Sequence, residues 1–97
     1  MKVRFAKAAL KDLAEVGEYT RQVWGKEQAR RYRDMLKNRI KWLGREENKT
    51  LWHGRPELGQ ELFSYIEGSH VIIFRTYERG IEIIRVLHSR MDLKRHL

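Results

Sequence analysis

The stretch Val71-Ile72-Ile73-Phe74-Arg75-Thr76-Tyr77-Glu78-Arg79-Gly80-Ile81-Glu82-Ile83-Ile84-Arg85-Val86-Leu87-His88 decides the fold. Its two halves, Val71 to Tyr77 and Ile81 to His88, are dense in β-branched and aromatic residues, the composition of strands. Glu78-Arg79-Gly80 between them reads as a tight turn. A three-residue loop with Gly80 in the left-handed position predicts Tyr77 opposite Ile81, Arg75 opposite Ile83 and Ile73 opposite Arg85. One sheet face then holds Val71, Ile73, Arg75, Tyr77, Ile81, Ile83, Arg85 and Leu87, and the other holds Ile72, Phe74, Thr76, Glu82, Ile84 and Val86. Both faces are substantially apolar. A single layer of helices covers one of them. The other needs a different cover or stands as an exposed apolar patch, the usual mark of a binding surface. Two arginines in a central hairpin are costly unless they meet water, acids or a ligand. Arg75 and Arg85 are therefore expected on the open face, either facing a partner or paired with local glutamates.

Working outward, Glu67-Gly68-Ser69-His70 is a turn and Glu61 to Ile66 a strand, which makes a meander of three antiparallel strands. At the other end of the chain Lys2 to Phe5 alternates charged and apolar residues, again a strand pattern. Ala9, Leu13, Val16, Thr20 and Val23 then recur at intervals of three and four, which predicts a helix from about Lys7 to Trp24. Gly25 interrupts it. Ala29, Tyr32, Leu36, Ile40 and Leu43 define a second helix that stops at Gly44. So short a connection forces an antiparallel helix hairpin. The outer face of the second helix carries Arg30, Arg31, Arg33, Lys37, Arg39 and Lys41, which suits a solvated surface with stems lying over the core. Arg45 to Gln60, with Gly54, Pro56 and Gly59, reads as a loop, and its length suggests a use. The tail from Ser89 to Leu97 is compatible with a short helix capped by Ser89, with Asp92 three residues on. Trp24 and Trp42 are expected to close the core, and Trp52 to be exposed as an interface anchor. The whole is α+β: an N-terminal strand, an antiparallel helix hairpin packed on an antiparallel sheet, and a short C-terminal helix, in one domain over residues 1–97.

Composition narrows the function. The net charge is +8, with thirteen arginines and eight lysines, so polyanions or an acidic protein are the natural partners. The absence of cysteine removes disulfides, thiolate metal sites and cysteine nucleophiles. Met1-Lys2-Val3-Arg4-Phe5 leads into no apolar signal segment, and no apolar run exceeds four residues, so a cytoplasmic protein without a membrane span is expected. His53, His70, His88 and His96 share no ligand spacing on one helix, so no metal or cofactor is expected. There is no glycine-rich phosphate loop and no Gly-x-Ser-x-Gly elbow. What remains is an arginine-bearing face with histidines near it. Such a set can move a proton on RNA while arginine holds the phosphorane, with His88 the best single candidate. A histidine at a strand end equally serves as a structural hydrogen-bonding group.

The chain resembles the ParE branch of the RelE/ParE toxin superfamily. The resemblance is carried by Ala9-x3-Leu13, Trp24-Gly25, Ala29-x2-Tyr32, Gly54-Arg55-Pro56-Glu57-Leu58-Gly59, His70-Val71-Ile72-Ile73-Phe74-Arg75 and Ile83-Ile84-Arg85-Val86-Leu87-His88-Ser89-Arg90-Met91-Asp92-Leu93. It implies a type II toxin–antitoxin system, a cognate antitoxin that is often ParD-like and wraps the toxin with an acidic amphipathic segment, and DNA gyrase as the target of a non-catalytic inhibitor. Arg75, Arg85, His88 and Arg90 are then the candidates for binding target or partner. The RelE branch of the same superfamily implies an alternative, ribosome-dependent mRNA cleavage, for which Glu57, Arg85 and His88 are the candidate catalytic residues. Val71 stands where that branch often has an arginine, and Ser89 where a tyrosine often follows the histidine, so the match to nuclease chemistry is incomplete. Direct nucleic-acid binding is a third possibility that the charge allows.

Overall fold

The computed structural model describes residues 1–59 and 61–97. The helical spacings produce α1 (Lys7–Trp24) and α2 (Lys26–Leu43), both at the expected limits. Gly25 alone joins them, at φ +90°, a conformation that only glycine adopts without strain. The hairpin lies on one face of a five-stranded sheet. The strands are β1 (Lys2–Phe5), β2 (His53–Gly54), β3 (Phe63–Glu67), β4 (His70–Tyr77) and β5 (Gly80–His88), in the order β1-β5-β4-β3-β2. The expected meander is β3-β4-β5. It is extended by β2, antiparallel to β3, and by β1, parallel to β5, so the complete sheet is mixed. Gly80 sits directly against the backbone of Lys2, and a Cβ there would collide with the Lys2 carbonyl.

The segment from Arg45 is not a plain loop. It contains a 3-10 helix at Glu46–Leu51, the strand β2 and a second 3-10 turn at Pro56–Leu58, and its last residue, Gln60, lies outside the described residues. The tail forms a 3-10 turn at Leu93–His96, capped by Asp92 and not by Ser89: the Lys94 amide donates to the Asp92 carboxylate at 3.2 Å.

The β4–β5 register departs from expectation in one half only. The loop is two residues long, Glu78-Arg79, so Tyr77 pairs with Gly80, Arg75 with Glu82 and Phe74 with Ile83. A β-bulge then places Ile84 and Arg85 together opposite Ile73, which restores the expected Ile73–Arg85 pair. Ile81 and Ile83 therefore face the helices, where they join Ala9, Ile40, Leu43, Ile72, Phe74 and Val86 in the main core. Glu82 and Ile84 move to the opposite face.

That opposite face is not open. Val71, Ile73 and Leu87 are buried there under Leu58 from the Arg45 segment, Leu62 just before β3 and Leu93 from the tail. Two of the three tryptophan expectations reverse. Trp24 is 68% exposed at the end of α1. Trp52 packs edge-on to Phe63 and Phe74, and its indole N–H donates to the Leu43 carbonyl at 3.1 Å. Trp42 is half-buried against Tyr65, as a core-closing role requires. No helix among the described residues is long and apolar enough to cross a membrane.

Candidate functional site

The candidate residues have separate partners, although Arg75 and Arg85 both line a cleft of about 530 Å³ beside the tail. Arg75 is exposed and paired across the hairpin with Glu82, at 2.9 Å from Nε and 2.8 Å from Nη2. Glu82 also meets Arg4 at 3.3 Å, and the Arg4 guanidinium lies 3.8 Å over the Tyr77 ring. This is the local-glutamate pairing, made possible by the shorter loop.

Arg85 has a different partner. Strand β1 pairs with β5 only as far as Ile83, so the edge of β5 beyond it has no neighbouring strand. Asp12 of α1 fills that place. Its carboxylate accepts from the Val86 amide at 2.9 Å and from Arg85 Nε and Nη2 at 2.7 and 2.9 Å. Asp12 is itself buried, and the bidentate bond raises the Arg85 pKa above its ordinary value. The bulge re-aims Arg85 around the sheet edge to reach it. Arg85 Nη1 also donates to the His96 carbonyl, so one guanidinium ties helix, strand and tail together. Nothing in the residues near Arg85 announces Asp12, which lies 73 positions away.

His88 opposes His70, with ring centroids 5.5 Å apart. Tyr32 of α2 completes the group. Its hydroxyl accepts from the Ser69 amide at 3.0 Å and meets His70 Nδ1 at 2.6 Å. A hydroxyl that already accepts has its proton to give, so the arrangement suits a neutral His70 carrying its own proton on Nε2. Burial, and then the neighbouring His88, push the His70 pKa below its ordinary value. His88 Nδ1 accepts from the Arg90 amide at 3.1 Å. Helical ligand spacing gave no hint of this pair, but the expected Ile73–Arg85 register, continued to the strand ends, sets His70 opposite His88.

Glu57 is elsewhere. It is exposed on the Pro56–Leu58 turn and bonded to Arg55 at 2.8 Å, which holds its carboxyl below the usual range. Arg90 is exposed after β5. The structure thus brings His88 and Arg85 to one cleft but pairs Glu57 with neither. That cleft, about 650 Å³, runs between α1 and the end of β5. Its walls include Asp12, Glu15 and the two histidines, and its rim carries the exposed Tyr19, Trp24 and Met91. Exposed aromatic and sulfur side chains around a concave lining that is mainly apolar suit a protein segment better than a small substrate. No group of three or more metal-ligating side chains exists among the described residues.

Three comparisons bear on this geometry. Residues 3–93 match the family model described as "ParE toxin of type II toxin-antitoxin system, parDE". The chain is 34% identical over 94 residues to "Toxin ParE1" of Caulobacter vibrioides, covering 97% of this chain and 95% of that protein. It is 33% identical over 91 residues to "Toxin ParE1" of Mycobacterium tuberculosis, covering 93% of this chain and 91% of that protein. Among solved structures, "Chromosomal ParDE TA system from P. aeruginosa" superposes with a TM-score of 0.76 at 20% identity, over 91% of this chain and 95% of that one, a likeness of fold.

Proposed function

The chain belongs to the ParE toxin family of type II toxin–antitoxin systems, and from that premise we propose that it acts in the cytoplasm by binding DNA gyrase, without catalysis, and is silenced by a cognate ParD-like antitoxin. The observation that carries the non-catalytic reading is the engagement of the three side chains an RNA-cleaving site would use. Arg85 is clamped by Asp12, Glu57 is ionised against Arg55, and His88 Nδ1 accepts a backbone amide. An acid–base pair needs both groups within reach of one substrate bond, and Glu57 forms its bond with Arg55 on a separate turn.

The antitoxin reading draws on the parDE description of the family and on the cleft beside α1. Tyr19, Trp24 and Met91 offer apolar anchors there, and the net charge of +8 favours an acidic segment. Of the binding candidates, His88 and Arg85 line that cleft, Arg90 is exposed beside its rim residue Met91, and Arg75 lines a second cleft that Arg85 also borders.

The test is gyrase supercoiling of relaxed plasmid with purified toxin. Inhibition is expected, relief is expected on adding the antitoxin, and His88→Ala and Glu57→Ala are expected to retain inhibition. A general acid or base contributes about 10²-fold or more, so a loss of that size in His88→Ala, together with cuts in translated mRNA and unimpaired gyrase, would replace this reading with the nuclease one.

A further inference from the structure

We infer that α2 carries a contact surface for the phosphate backbone of duplex DNA, formed by Lys26, Arg30, Arg33, Lys37 and Lys41. All five side chains are exposed, and none forms an ion pair with a described residue. The helix's other two arginines are engaged, Arg31 with Glu27 and Arg39 with Glu67. At 3.6 residues per turn the five fall within an arc of about 80° along a line about 22 Å long. They are a straight row, not a diffuse positive face.

The row is not balanced by the helix that bears it: α2 has two acids, of which Glu27 is paired with Arg31 and Asp34 forms no ion pair with a described residue. Successive members stand four, three, four and four residues apart. Like charges at those spacings are neighbours on the helix surface and destabilise it. Solubility alone would be served by mixed signs. The row also borders a groove between the helices whose floor includes Ala14, Gly17 and Ala29. Nothing stands within 4 Å of where a Cβ on Gly17 would be, and the one acid that lines the groove, Glu18, is neutralised by Arg21 at 2.8 Å.

The chemistry of the row selects nucleic acid over an acidic protein. Protein interfaces depend on desolvated apolar anchors, and none of the large apolar side chains of α2 is exposed. The exposed Tyr19, Val23 and Trp24 all belong to α1. A phosphate backbone needs no apolar anchor, only cations in line, and is bound without reading sequence. One molecule then offers a protein-binding cleft beside α1 and a DNA-binding row on α2. This inference goes beyond the gyrase reading and stands without it.

The experiment is fluorescence anisotropy of the purified toxin with a short labelled duplex of arbitrary sequence, between about 50 and 200 mM salt. Micromolar-range binding is expected, with a slope of log K against log salt of about −3 to −4.5 for three to five phosphates. The triple variant Lys26→Gln/Arg30→Gln/Arg33→Gln is expected to flatten that slope by about 2 to 3. A charge-matched triple off the row, Lys2→Gln/Lys7→Gln/Arg79→Gln, is expected to change it by less than half as much. Gln is a good helix former, and circular dichroism verifies that both triples fold. Equal losses in the two triples would reduce the effect to net charge and overturn the inference, as would absence of binding at the lowest salt. If the row variant lost affinity for polyglutamate while keeping its affinity for DNA, the row would be a protein site and the inference would again fail. Loss of gyrase inhibition with DNA binding intact would count against the gyrase reading alone.

Discussion

The two faces of the β4–β5 hairpin are both buried, but by very different amounts of chain. One is covered by α1 and α2, 18 residues each, joined to the sheet by a continuous core that includes Ile40, Leu43, Phe74 and Ile83. The other is covered by single leucines, Leu58, Leu62 and Leu93, delivered by short 3-10 turns and connecting chain. The helix cover propagates its own hydrogen bonds over many turns. The tail cover has one turn and a few bonds, so its order depends on the side chains beneath it. Burial alone does not distinguish the faces. What distinguishes them is how much structure must move to expose each one.

That contrast can be broken by mutation. The largest effect is expected for Phe74→Ala, which empties the helix-covered core and costs about 3–5 kcal/mol of unfolding free energy in urea. Asp12→Ala comes next, at about 3 kcal/mol. It leaves Arg85 without its carboxylate and the Val86 amide without its acceptor at the edge where the two covers meet. Leu93→Ala, which removes one contact of the tail, is expected to cost only about 1 kcal/mol. Hydrogen exchange should then speed up in β4 and β5 amides near the tail and not in the helices. A Leu93→Ala penalty matching that of Phe74→Ala would show the covers to be equivalent.

Acid should act through the His70 group. Its folded pKa lies below the ordinary histidine value, so the unfolded chain takes up a proton first as pH falls. Stability is therefore full above the ordinary histidine value and declines as pH drops through and below it. His70→Asn should flatten the dependence between pH 7 and 5, measured by thermal melts; an unchanged profile would place the titration elsewhere. The smallest effect is expected on α2. Arg33→Glu converts two like-charge neighbours into opposite ones and should stabilise by about 0.5 kcal/mol, seen as a small rise in Tm.

The helices were legible because Ala9 to Thr20 and Ala29 to Leu43 repeat at helical spacing and Gly25 divides them. The meander was legible in its composition. Its register was half legible, since a two-residue loop and the Ile84 bulge shift the pairing in opposite senses and so leave Ile73 opposite Arg85. Bulges carry no mark in a run such as Ile83-Ile84-Arg85. The cover on the second face was illegible because Leu58 and Leu93 act as isolated residues, with no periodicity to show which way they turn. Trp24 and Trp52 exchange roles for a similar reason. A tryptophan in the last turn of α1 lies beyond that helix's last buried residue, Thr20, while one in an irregular segment can still be drawn inward by Phe63 and Phe74. The Asp12–Arg85 clamp and the Tyr32–His70 bond join residues far apart in sequence, where local patterns are silent.

The parallel pairing of β1 with β5 has a consequence for synthesis. Lys2 through Phe5 leave the ribosome before their partners, Gly80 through Ile83, and Asp12 waits for Arg85 and Val86. Closing so long a loop costs chain entropy before its contacts form. The helix hairpin is translated with its sheet-facing side unmatched, and the sheet edge, the clamp and the cleft beside α1 assemble only after β5 has been made. The order of the strands thus acts as a timer, keeping the cleft beside α1 incomplete until β5 has been made.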